Sequence, residues 1–259
     1  MTMKLESLVM RRRSGLLGII AALTLSLIQV NTSSAELIGR WHADGNAEDT
    51  SGQGNHGTMV NDVTYATDKN RRAFSFDGSG DKILLTSNPL SDLAQFTYVA
   101  WIKPIEEGRH ELFSRSGGGF ASDEFFAFLI INNGALSWVL NDAPNLKGLT
   151  ETQRGLVLWG QWQHVALTRD GSTIKAYING EEVSSHTDLR AANPVMEDPL
   201  QFADWTVPGY SFNGLIDEIG LFDTALSQSD IQLIMTNGLA GGATAVEAIS
   251  WGQVKEDER

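Results

Sequence analysis

The stretch from Trp162 to His186, WQHVALTRDGSTIKAYINGEEVSSH, leaves few folds open to this chain. Asp170-Gly171 and Asn179-Gly180 are pairs that tolerate positive φ at both central positions of a hairpin turn, so three short strands are predicted around them. The flanking runs alternate as strands do. Val165 and Leu167 mark the filled side of the first, and Ile174, Ala176 and Ile178 share a face opposite Lys175 and Tyr177. An antiparallel meander with one apolar face does not hide that face from water by itself. A second sheet must lie against it, and the rest of the chain must supply the strands.

Further strands are predicted on both sides. Phe74 to Phe76 and Lys82 to Leu85 flank an Asp77-Gly78-Ser79-Gly80 turn, and Leu112 to Arg115, Phe125 to Ile131 and Leu136 to Leu140 follow. Phe96 to Ile102 carries Phe96, Tyr98, Ala100 and Ile102 on one side and Val99 and Trp101 on the other, which marks a central strand with both faces filled. Trp101 and Trp162 are therefore assigned to the core. Triple glycine at Gly117 to Gly119 has no following lysine or helix start and is read as a rim loop, not a phosphate cradle. One helix is expected, from Ser227 to Met235, capped by Ser227, with Ile231, Ile234 and Met235 as its apolar stripe and Asn237-Gly238 at its end. At 259 residues, this is one large all-β domain.

The formal charge of -13 makes nucleic acid a poor partner. The first residues read as an export signal over residues 1–35. Arg11, Arg12 and Arg13 precede an apolar run from Leu16 to Val30, and Ser33-Ser34-Ala35 offers a cleavage site. That run is shorter than the ~20 residues a membrane-spanning helix needs, so no stable membrane insertion is expected after cleavage. Export places the protein outside the cytoplasm: secreted, periplasmic or at the cell surface. With no cysteine, an exported domain must join its ends by packing or by metal, and a cysteine-attached lipid anchor is excluded. The domain spans 36–236 and a tail with Ile249, Trp251 and Val254 occupies 237–259.

The loop from Asp44 to Gly57 is dense in Asp, Asn, Ser and Gly. Asp44, Asn46, Asp49 and Asn55 are oxygen donors close enough in sequence to share a calcium ion, although the spacing is not that of an EF-hand. A solvated loop held by Asx turns satisfies the same composition.

Several short motifs follow one another in a recognisable order: Asp49-Thr-Ser-Gly-Gln-Gly-Asn-His-Gly-Thr58, Ala73-Phe-Ser-Phe-Asp-Gly78 with Asp81, Phe96-Thr-Tyr-Val-Ala-Trp-Ile102, Trp162-Gln-His-Val-Ala166, Tyr177-Ile-Asn-Gly180, and Phe212-Asn-Gly-Leu-Ile-Asp-Glu-Ile-Gly-Leu-Phe222 with Ala225-Leu-Ser227. In this order they resemble LamG-like, concanavalin A-like jelly-roll domains. The resemblance implies a sandwich of two antiparallel sheets, with calcium held near the junction of the first loop and the last strand. Strand alternation puts Asp217 on the side of Leu215, Ile219 and Leu221 and Glu218 on the exposed side. A carboxylate among apolar neighbours needs a partner. Asp217 either completes the calcium site begun by Asp49, stapling the two ends of the sandwich, or accepts hydrogen bonds from the loop or from His56 without metal.

Two long connections, Asn141 to Gly160 and Thr187 to Ser211, carry Trp159, Trp205 and Tyr210. Rim loops are where sandwiches place recognition, and these aromatics are candidate contacts for sugar rings, although such residues also serve as core filler. Neither a Glu-x-Asp-x-Glu strand, a Gly-x-Ser-x-Gly elbow nor a His-Glu-x-x-His helix is present. The sequence thus points to an exported, calcium-stabilised, non-catalytic module that binds a glycan or an extracellular protein. The alternatives are a polysaccharide-active enzyme of glucanase or lyase type and a purely structural cell-surface module.

Overall fold

The computed structural model describes residues 35–69, 71–115, 125–141, 150–187, 198–205 and 209–239. The expected export signal before Ala35, the triple glycine and the tail beyond Leu239 lie outside them. In chain order, β1 (Leu37–Trp41), β2 (Gly57–Val60), β3 (Thr64–Asp68), β4 (Arg71–Asp77) and β5 (Lys82–Leu85) precede the long β6 (Gln95–Pro104). Next come β7 (His110–Arg115), β8 (Phe125–Ile131), β9 (Ala135–Asn141) and the short β10 (Thr150–Glu151). The meander supplies β11 (Gln163–Asp170), β12 (Thr173–Ile178) and β13 (Glu181–Thr187) before β14 (Leu200–Phe202), β15 (Asn213–Phe222) and α1 (Gln228–Asn237).

These strands form two antiparallel sheets, as the jelly-roll expectation requires. The larger has the order β13-β12-β11-β6-β15-β4-β3, with β1 also on β15, and the smaller has β10-β9-β8-β7-β14-β5-β2. The inner faces enclose one core. Val165, Leu167, Ile174, Ala176 and Ile178 of the meander join Tyr98, Phe113, Phe128 and Phe202 there. Tyr98 and Phe113 rings are 4.6 Å apart, and Trp41 meets Phe202 edge-on at 4.9 Å. Side chains of this size each contribute about 1.5–3 kcal/mol on full burial, so apolar packing between the sheets dominates the stability.

The second predicted turn has the expected backbone, with Asn179 at φ 50° and Gly180 at φ 79°. The first is one residue later than predicted. Asp170 pairs with Thr173, which leaves Gly171-Ser172 as the turn, and of Asp170 and Gly171 only the glycine has positive φ. Asp170 stays in its strand, its carboxylate accepting from Gln95 Nε2 at 2.6 Å.

β15 ties the sandwich together. Its first half pairs with β4, its second half with β1 (Leu37 opposite Phe222, Trp41 opposite Ile219), and all along it lies against β6. A bulge falls between Asp217 and Gly220, where the edge neighbour changes. Gly214 is needed for close approach: its φ is 143°, and a Cβ there would lie 2.3 Å from the Lys103 carbonyl oxygen.

α1 begins with a capping box, the Ser227 hydroxyl accepting from the Asp230 amide while the Asp230 carboxylate accepts from the Ser227 amide. Ile231 and Ile234 pack with Val99, Ala166, Tyr177 and Phe222. The helix therefore covers one part of the larger sheet's outer face and leaves the adjoining part, around Trp101 and Asp217, without it.

Candidate functional site

The expected calcium ligands do not converge. The Asp49 carboxylate accepts four hydrogen bonds: Oδ1 from the amides of Arg40 and Ser51, Oδ2 from the Asn55 amide and the Ser51 hydroxyl, at 2.8–2.9 Å. A carboxylate has about four lone-pair positions, so the loop and β1 together use them all. Asn46 Oδ1 accepts from the Glu48 amide, and Asn55 donates its side-chain amide to the Ile38 carbonyl. Asp44 is exposed, 3.7 Å from His42. Asp217 is paired with Arg71 at 3.3 Å and also accepts from the amides of Ala43 and Glu218. Among the described residues no three His, Asp or Glu side chains are placed to share an ion. The donor set does not fit calcium. It fits the hydrogen-bonded loop that the composition equally allowed.

The loop aromatics are corrected in the same way. Trp205 and Tyr210, 3% and 8% exposed, stack edge-on at 4.8 Å and pack on Ala127, Leu129 and Val139 outside the smaller sheet. Trp159 is half-buried against the core, beside His110. Trp205 and Tyr210 are thus buried and not open on a rim loop.

Two half-buried aromatics are ones assigned to the core from sequence. On the part of the larger sheet's outer face that α1 leaves open, Trp101, Trp162 and Arg71 are half-buried. The Arg71 guanidinium lies 4.6 Å from the Trp101 ring centre and 5.3 Å from that of Trp162. Strand register explains the grouping, because His164, Trp101 and Asp217 are opposed across β11, β6 and β15. Asp217 fixes Arg71 from one side. On the other, Asp68 of β3 accepts from Trp162 Nε1 at 2.8 Å and from Lys103 Nζ at 2.6 Å. The result is a cluster in which the Arg71 guanidinium lies over both indoles, bordered by carboxylates and an ammonium group.

The electrostatics follow from burial and these partners. Lys103 and Trp162 hydrogen bonds hold the Asp68 carboxyl below its ordinary value. Burial pushes Asp217 up, opposed by Arg71. His164, 1% exposed and 5.4 Å edge-on from Trp101, is lowered to about 3 by burial and secondarily by Arg71, so it is neutral. Glu218, predicted exposed, is 5% exposed. The bulge resets the alternation: Asp217 faces outward opposite Trp101, Ile219 and Leu221 point into the core, and Glu218 takes φ 52°. Burial raises Glu218 to about 7, with Arg40 opposing. Its carboxylate accepts from the Leu239 amide beyond α1.

Sequence reasoning missed Arg71 altogether. Its available signal was the Arg71-Arg72 pair ahead of Ala73-Phe-Ser-Phe, an odd place for two cations beside a buried strand.

A family match to the concanavalin A-like lectin/glucanases superfamily covers residues 77–232, more than half of the chain. Among solved structures, domain 4 of AbnA, an extracellular GH43 arabinanase from Geobacillus stearothermophilus in complex with arabinotriose, superposes with a TM-score of 0.62 at 22% identity, over 77% of this chain and 98% of that one. The binding domain of botulinum neurotoxin DC in complex with rat synaptotagmin II gives 0.65 at 17% identity, over 79% of this chain. The binding domain of Paraclostridial Mosquitocidal Protein 1 gives 0.62 at 14%, over 78%. The chain spans about half the length of these toxin domains, 52% of each. No curated protein sequence matches it. Among the described residues, no helix is long and apolar enough to cross a membrane.

Proposed function

The chain belongs to the concanavalin A-like lectin/glucanase superfamily, and from that premise we propose that it is an exported, non-catalytic module that binds a glycan on the open part of the larger sheet. The reading rests on the Trp101–Arg71–Trp162 cluster. Sugar rings present apolar C–H faces with hydroxyls at their edges, and half-buried indoles bordered by Asp68, Lys103 and Asp217 match both features. The indoles are already held by neighbours, which lowers the entropy cost of ordering them on binding. Domain 4 of the arabinanase, in complex with arabinotriose, supports a sugar as the kind of ligand this fold carries.

Binding is favoured over catalysis by the state of the carboxylates. Asp217 and Asp68 are engaged with Arg71, Lys103 and Trp162, an arrangement that fixes charge and leaves neither free as a general acid or base.

The test is a glycan array probed with the mature chain and with Trp162→Ala. Array hits that weaken at least tenfold in the variant, with unchanged circular dichroism, are expected. Hits of equal strength for both proteins overturn the placement of the site, and no hits overturn the proposal and point to a protein partner.

A further inference from the structure

The polar atoms on the open part of the larger sheet are unevenly used. Its carboxylates are occupied: Asp68 Oδ2 accepts from both Lys103 Nζ and Trp162 Nε1, and Asp217 accepts from Arg71 Nη1 and from the amides of Ala43 and Glu218. Arg71 is not. A guanidinium carries five N–H donors. Among the described residues the one hydrogen bond Arg71 makes is that to Asp217, at 3.3 Å, which is long for a charged pair. Its Nε and Nη2 donors meet no acceptor there, and neither does Trp101 Nε1. These groups are not sealed in. The Arg71 side chain is 30% exposed, and neither Arg71 nor Trp101 holds a buried unpartnered nitrogen.

What this face offers a ligand is therefore a set of donors held in place. The Arg71 guanidinium is fixed by the two indoles it lies over and by Asp217 at Nη1. Net charge does not choose the ligand, because Arg71, Lys103 and Arg40 are matched by Asp217, Asp68 and the buried Glu218. The choice falls to hydrogen-bond type. A sugar hydroxyl both donates and accepts, and the acceptors around Arg71 are already engaged; an ammonium group would bring donors to donors. A carboxylate accepts only, and its two oxygens match the guanidinium fork in two parallel bonds.

We infer that the open face takes an acidic sugar, with the carboxylate of a uronic acid residue received by the Nε and Nη2 donors of Arg71 and the sugar's C–H groups against Trp101 and Trp162. The inference rests on the glycan-binding reading above and names the class of sugar within it. Arg71 then sets specificity, while the indoles supply affinity for a sugar ring of any charge. A lysine at this position keeps the charge and loses the fork, so it attracts an anion without holding both carboxylate oxygens.

The experiment is calorimetric titration of the mature chain at neutral pH with trigalacturonate and with trimannuronate, each beside its methyl ester, which keeps the ring and its hydroxyls and removes the charge. One acid or the other should bind about tenfold more tightly than its ester. Arg71→Lys, with its urea midpoint checked, should cut that ratio below about threefold. If this variant does not fold, the ratio for the native chain stands as the test by itself. Equal binding of acid and ester, or a preference that survives in folded Arg71→Lys, overturns the inference and leaves a glycan site standing. Failure of both acids to bind also overturns it: hits on the glycan array then preserve the wider reading, and a blank array removes both.

Discussion

A carboxylate that accepts four hydrogen bonds from its own loop and the adjoining strand is a fixed point of the fold. Asp49 holds Arg40, Ser51 and Asn55 in place, and through Asn55 it positions the loop against β1, where Trp41 Nε1 donates to the Asn55 carbonyl at 3.0 Å. Asp49→Ala leaves several buried donors unmatched, and a loss of about 2–4 kcal/mol is expected, read as a lower urea midpoint at unchanged slope. His164 makes a second prediction at this scale. The native protein keeps it neutral down to about pH 3, while the unfolded chain protonates it near 6.5. Its folded pKa is depressed, so the associated stability is present above 6.5 and is lost as pH falls toward 3. That loss amounts to about 3 kcal/mol by pH ~4. His164→Gln should flatten this acid limb in urea titrations at successive pH values, and an unchanged limb would contradict the assignment.

At the scale of elements, β15 carries the demands that a strand pattern does not display. Gly214 admits β6 so closely that Gly214→Ala forces a Cβ against the Lys103 carbonyl, which is backbone and has nowhere to go. A loss of more than about 2 kcal/mol in thermal or urea unfolding is expected. Ser227→Ala should cost about 1 kcal/mol and speed amide exchange at the start of α1. The alternation in Phe96 to Ile102 and in Ile174 to Ile178 was enough to place the core and the central strand, because period-two burial is a local property. Two things were out of reach of such patterns. The bulge after Asp217 shifts the alternation by inserting a residue, so Glu218 was assigned to the wrong environment. The exposure of Trp101 and Trp162 depends on where α1 docks, and the burial of Trp205 and Tyr210 on which loop folds over the smaller sheet; both are tertiary facts.

At the scale of the whole molecule, the two sheets share a core, and the ends of the domain meet where β1 and β15 pair and Glu36 and Asp223 exchange hydrogen bonds. The clasp is made of backbone pairing, the Asp49 loop and the Arg71–Asp217 pair. Equal melting midpoints in millimolar calcium and in chelator are therefore expected, and a rise with calcium would show that the loop opens to a metal. The outer faces then differ in role: one part of the larger sheet is covered by α1, and the part beside it carries the half-buried Trp101 and Trp162. The most direct test of that division is the indole region of a proton–nitrogen correlation spectrum, with Trp101, Trp162, Trp41 and Trp138 assigned by Trp→Phe variants, recorded while a glycan from the array is added. The signals of Trp101 and Trp162 should move together and saturate while those of the core residues Trp41 and Trp138 stay in place; movement confined to other tryptophans would contradict the account.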